Sequence, residues 1–244
     1  MKRRRSRART RALKEVTHRG PRVVRGMPEL PPMPLKPRLR GVLHQWACAC
    51  SLPLGVALVI VAGTARGRIA LSVYALSLVG LFGTSALYHR INWRSVTVRD
   101  WMRRLDHSMI FVLIAGSYTP FAMLVLHGPL AIVILVAVWA GALLGLAFNL
   151  LWSDAPKWLH ATLYVALGWV VVAALPQLGG AIGLGGMTLL GLGGVLYTLG
   201  AVVYAVRRPD PVPAAFGYHE VFHTLVIAAA ALQYAVIAFW IIPA

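Results

Sequence analysis

The sequence predicts an all-α membrane protein: a bundle of seven transmembrane helices, N-terminus in the cytoplasm and C-terminus outside. Three observations predict it. First, of 244 residues 59% are hydrophobic and only 13% charged, against roughly a quarter charged in a soluble domain. That excess of apolar residues exceeds what a water-facing surface can enclose, which excludes a soluble enzyme, a disordered chain and a coiled coil as the main architecture. Second, seven apolar runs approach or exceed the roughly 20 residues that cross a bilayer. They are 45–65, 69–89, 105–126, 130–151, 158–175, 187–206 and 218–242. Third, Lys and Arg are distributed unevenly between the ends of these runs. With the N-terminus inside, 22 of the 24 fall on the inner side and only Arg66 and Arg68 on the outer side, which is the positive-inside pattern.

Taken in order, residues 1–42 come first. They hold 14 of the 24 Lys and Arg and then a run of prolines, Pro21, Pro28, Pro31, Pro32, Pro34 and Pro37. With no hydrophobic period, they are expected to form a disordered cytoplasmic tail lying on anionic lipid headgroups. The tail is not a secretory signal, because the first apolar run starts too late and is long enough to span. The membrane domain is 43–244. Gly67 breaks the chain after the first run and Gly128-Pro129 after the third. Ser153-Asp154-Ala155-Pro156 ends the fourth, and Arg208-Pro209-Asp210-Pro211 ends the sixth. All are turn signals. Trp46, Trp93, Trp101, Trp152, Trp158 and Trp240 cluster at run ends, where amphipathic rings prefer the interface. In the third run Pro120 is expected to kink the helix, with Ser117 or Thr119 satisfying the freed carbonyl. The glycines between Gly179 and Gly200 serve a turn and close helix packing. Cys48 and Cys50 lie within the first run and form no disulfide framework. The net charge of +17 is topological in its distribution, so no nucleic-acid partner is expected.

Ionisable groups inside spans are costly and therefore informative. Ser85 and His89 end the second run, Asp106 begins the third, and His219, Glu220 and His223 begin the seventh. The charge-based topology puts all of them at the cytoplasmic end. His219 and His223 are spaced i, i+4 and share a helix face, so they can chelate one metal ion. His89 completes a three-His set, and three imidazoles with an open water position is the pattern of catalytic zinc. Asp106 is the nearby carboxylate that offsets the charge by holding the metal-bound water. Ser85 lies one turn deeper than His89. His18, His44, His107, His127 and His160 read as packed residues. His219 to His223 also matches H-E-x-x-H, in which Glu220 is a general base; the other reading pairs Glu220 with an inner-loop arginine such as Arg104 or Arg207.

Several motifs, in order, carry a family resemblance: Ser85-Ala-Leu-Tyr-His89, Leu105-Asp106-His-Ser-Met-Ile, Ala115-Gly-Ser-Tyr-Thr-Pro120, Gly168-Trp169 and Gly217-Tyr-His219-Glu-Val-Phe-His223. Over about 43–243 the chain resembles the hemolysin III family, the bacterial branch of the progestin and adiponectin receptor (PAQR) superfamily. The resemblance implies seven helices with an inside N-terminus and one zinc ion per chain near the cytoplasmic face. It implies His89, His219 and His223 as ligands, with Asp106 holding the zinc-bound water and Ser85 beside it. It points to membrane lipids as partners and to a plasma-membrane location. The use of 20 Arg against 4 Lys suggests a GC-rich bacterial genome and hence a bacterial inner membrane. Three functions follow. The first is a zinc-dependent hydrolase of lipid amides or esters, with Asp106 and Ser85 catalytic. The second is a non-enzymatic sensor or regulator of membrane lipid with a structural zinc. The lowest-ranked is an intramembrane metalloprotease using Glu220.

Overall fold

The computed structural model describes residues 37–152 and 154–242. The expected disordered tail lies outside the described residues up to position 36. From Arg38 the backbone is already held: Arg38 and Leu39 donate their N–H groups to the carbonyls of Ala214 and Ala215 at 3.0 and 3.1 Å. The first helix, α1, then runs Val42–Val61. It is entered through Gly41, whose φ of 79° lies in the left-handed region that glycine adopts most readily.

Helix α2 spans Ala65–Arg90 and starts where Thr64 accepts a hydrogen bond from the Gly67 N–H, a cap that satisfies an orphan donor. Helix α3 spans Val96–Leu124 and begins at Ser95, whose side chain accepts from Val98. It starts nine residues before the apolar run does, because its first turns carry Arg99, Asp100, Arg103 and Arg104. It also continues past Pro120 to Leu124. Ser117 and Thr119 donate to the carbonyls of Ile114 and Ala115, not to that of Gly116, which is the one four residues before the proline. Helix α4 spans Gly128–Leu151, with a proline in its first turn.

The next helical stretch differs from the expected pair of separate runs. Helix α5, Lys157–Gly168, tightens into a 3₁₀ segment, Trp169–Ala174, and passes directly into α6, Leu175–Val206. A straight helix of that length would put Lys157 and Tyr204 about 70 Å apart. Instead the Lys157 ammonium lies 4.7 Å from the centre of the Tyr204 ring, and the Trp169 indole donates to Thr198 at 3.1 Å. The stretch therefore folds back on itself. Its break is Gly183, at φ 59° and ψ −174°, a backbone region that is essentially glycine's alone. Helix α7, Tyr218–Val236, ends in a π-helical turn, Ile237–Ile241.

Among the described residues there is no strand, and six helical stretches are long and apolar enough to cross a membrane. Sequential neighbours from α1 to α4 pack side by side, α5 packs on α6 and α6 on α7, and α7 also touches α1. Helices α2 and α3 form the centre, with 56% and 61% of their apolar windows buried, against 22% for α1 and 28% for α4. The outer helices present large side chains such as Ile60, Val136, Leu144 and Phe239 outward. An apolar surface of that extent is tolerated in lipid and not in water.

Candidate metal centre

Two helix ends and the interior of a third helix converge to build the site. His89 comes from the last turn of α2, Asp106 from α3, and His219 and His223 from the first two turns of α7. The start of α7 is fixed by two carboxylates. The Gly217 N–H donates to Glu220 Oε2 at 2.9 Å and the Tyr218 N–H donates to Asp210 Oδ1 at 2.8 Å. Negative charge there also complements the positive end of the helix dipole. With the start fixed, the i, i+4 spacing puts both imidazoles on one face.

His89, His219 and His223 are all buried, and one ring nitrogen of each lies within 4.8 Å of the other two. The Nε2 atoms of His89 and His219 are 3.1 Å apart. Two nitrogens held ~2.0–2.1 Å from a tetrahedral zinc stand about 3.3 Å apart, so the donor set fits such an ion. Asp106 Oδ2 is 3.7 Å from His89 Nε2, and Ser85, buried in α2 one turn before His89, lines the same cavity as Asp106. Below these groups a cavity of about 310 Å³ opens between the helices. Asp106, His219 and His223 line one part of it, and Tyr118, Phe121 and Leu178 line another. From Asp106 to Phe121 along α3 is about 22 Å, so the cavity is long, narrow and mostly apolar.

Glu220 is turned away from the imidazoles' task. Its carboxylate is fully buried, caps Gly217 through one oxygen, and meets Arg40 Nε through the other at 2.9 Å. The arginine partner is thus Arg40, not Arg104 or Arg207; Arg104 instead donates to the Leu150 carbonyl at 2.7 Å. His107 faces the other way from Asp106, towards His160 and Tyr204.

From the sequence three residues near the centre have no assigned role in the site, and of these His44 reads as a packed residue. His44 is buried and stacks on His223, with ring centres 3.7 Å apart and planes 12° from parallel. Gly41 sits against His89: a β-carbon there would come within 2.6 Å of His89 Cβ. Arg40 counted only as one more tail charge. The available signal was topological, since the first run begins at the same end as the other histidines.

The chain is similar in sequence to known proteins. A sequence model described as Haemolysin-III related matches residues 34–234. The chain is 30% identical over 203 residues to the Hemolysin-3 homolog of Bacillus subtilis (strain 168), covering 82% of this chain and 92% of that protein. It is 30% identical over 206 residues to Hemolysin-3 of Bacillus cereus, covering 83% and 90%. It is 28% identical over 165 residues to the human Monocyte to macrophage differentiation factor, covering 66% of each.

Proposed function

The chain belongs to the Haemolysin-III related family, and from that premise we propose that it is a plasma-membrane hydrolase that cleaves an amide or ester bond of a membrane lipid at a three-His zinc centre. The observation that carries the reading is the meeting of His89, His219 and His223 beside Asp106 at a narrow apolar cavity. Three nitrogens and a nearby carboxylate suit a catalytic ion, and the cavity suits an acyl chain.

His89, His219 and His223 would hold the ion. When bound, zinc supplies Lewis acidity and lowers the pKa of a water towards ~7. Asp106 accepts a proton from the attacking water as its oxygen bonds to the acyl carbon, and returns that proton to the departing amine or alcohol as the old bond breaks. Ser85, which lines the cavity with Asp106, orients that carboxylate. The apolar walls keep the acyl chain aligned and bulk water out.

The same reading takes the fold-back of 157–206 as two crossings, which gives seven passes. The positive-inside count puts the N-terminus and the metal centre on the cytoplasmic side, so substrate enters from the inner leaflet. The basic tail is assigned to anionic headgroups. Capture of Glu220 by Arg40 and the Gly217 N–H weighs against the metalloprotease reading. A second reading, a lipid sensor with structural zinc, draws on the way the three histidines join the ends of α2 and α7.

The test is metal content per chain and lipid-amide turnover on detergent-purified protein. Wild type should hold about one zinc. His89→Ala should lose zinc and turnover, while Asp106→Ala should keep zinc and lose turnover. Turnover by metal-free protein would overturn the proposal.

A further inference from the structure

A second polar site lies at the same end of the bundle, built from residues that the zinc centre does not use. Arg103 near the start of α3, Lys157 at the start of α5 and Arg207 just past the end of α6 line one cleft of about 260 Å³, together with His107, His160 and Asp154. Three cations share the cleft with one carboxylate. Asp154 accepts from Arg103 at 3.0 Å, and Asp100 lies 3.8 Å from the same guanidinium, so Arg103 is offset and the charges of Lys157 and Arg207 are the surplus.

Lys157 is ordered rather than free in solvent. Its ammonium donates to the Tyr218 hydroxyl at 2.8 Å and lies 4.7 and 4.9 Å from the centres of the Tyr204 and Tyr218 rings. Such cation–π contacts hold the charge in place without neutralising it. Two residues that line the cleft, Arg103 and His160, each also carry a buried nitrogen, Nε and Nδ1, with no hydrogen-bond partner among the described residues. Like charges held together in a concave site raise the local affinity for an anion. An arginine fork and an ammonium, with imidazoles beside them, are the groups that bind phosphate oxygens.

We propose that this cleft binds a phosphate group, presented either by the headgroup of an anionic lipid or as free inorganic phosphate. His107 and Tyr204 line both this cleft and the apolar cavity, so a lipid held by its phosphate here would place its apolar part beside that cavity. The assignment is independent of the hydrolytic reading, since none of the three cations belongs to the zinc centre.

The test uses the full-length protein in nanodiscs of phosphatidylcholine with or without phosphatidic acid. Native mass spectrometry counts retained phosphatidic acid. A parallel thermal scan compares sodium phosphate with sodium chloride at equal ionic strength. Wild type should retain phosphatidic acid, and Lys157→Gln should weaken retention about tenfold, the loss of one charge-assisted contact. Asp154→Asn, which removes the nearer of the two carboxylates beside Arg103 and leaves Asp100 at 3.8 Å, should strengthen it, a sign that a folding defect does not produce. Arg66→Gln, at the opposite end of α2, should change nothing. Retention of the lipid without stabilisation by phosphate identifies the headgroup as the source; equal stabilisation by phosphate, lost in Lys157→Gln, identifies the free anion. Indifference of both readouts to Lys157→Gln and Asp154→Asn would overturn the proposal.

Discussion

The Arg40–Glu220 pair gives the most quantitative prediction. The Glu220 side chain is 1% exposed and that of Arg40 19%, with Nε and Oε1 2.9 Å apart. Arg40→Ala leaves a carboxylate buried with the Gly217 N–H as its remaining hydrogen-bond donor. Removing one partner of a buried pair costs about 3–5 kcal/mol. The partial exposure of Arg40 lets water approach the vacated side, so the lower end, about 3 kcal/mol, applies. For a chain of this size, that lowers the thermal midpoint by about 6–12 °C. Glu220→Gln keeps a cap acceptor and leaves a more accessible cation behind, so its loss should be smaller. The double variant Arg40→Ala/Glu220→Gln buries no lone charge and should be more stable than Arg40→Ala alone, a coupling that a double-mutant cycle reads directly. The assay is thermal unfolding in detergent for all four proteins. A midpoint for Arg40→Ala within about 2 °C of wild type, under 1 kcal/mol on the same scale, would refute the claim that this pair is energetically buried.

Four more outcomes follow from the same geometry. Gly41→Ala should cost about 1–2 kcal/mol for its left-handed backbone alone, and should also lower zinc content, because the new methyl meets His89; unchanged metal content would count against that contact. Tyr118→Phe should cost about 1–3 kcal/mol, since its hydroxyl donates to the Gly168 carbonyl and accepts from the Val171 N–H, both at 2.6 Å; denaturant or thermal unfolding checks it. Gly183→Ala should cost about 1–3 kcal/mol at the fold-back, where no side chain is near enough to clash, so a neutral result in the same scan would place the strain elsewhere. Removal of metal by a chelator should lower the thermal midpoint of wild type and leave that of a folded His223→Ala variant unmoved, because only the former has bound ion to lose.

Much of the fold was legible because membrane helices declare themselves by length and apolarity, which are local properties. What was lost is what is not local. Helix α3 starts at Val96, not at 105, because a polar helix beyond the membrane carries no hydropathy signal, and only the Ser95 cap marks it. The sharp break at Gly183 was diluted among neighbouring glycines, of which only that one has to adopt a positive φ. At the site, His219 and His223 could be paired from their spacing, and His89 and Asp106 could be joined to them from charge topology. Arg40 and Gly41 could not be placed, because their position depends on the path of the chain before α1. That path is set by backbone hydrogen bonds to Ala214 and Ala215, contacts across some 175 residues that leave no pattern in the sequence.

The choice between a working and a structural ion turns on what completes the set of ligands. A structural zinc is closed by four protein groups; a catalytic one keeps a position open. Around His89, His219 and His223 the next polar groups are His44 and Asp106. His44 lies outside the set of nitrogens that approach within 4.8 Å of one another, its ring face to face with that of His223, so it supports a ligand's orientation rather than adding a fourth. Asp106 borders the cavity, as Ser85 does, which suits a group that handles a proton better than one that closes a cage. The contrast is testable in one variant. If Asp106 moves a proton, Asp106→Asn should retain zinc and a near-normal thermal midpoint while turnover falls by a factor of about 10²–10⁴. If the ion only pins the ends of α2 and α7, the same substitution should leave biological activity intact, and it is the histidine variants that should unfold.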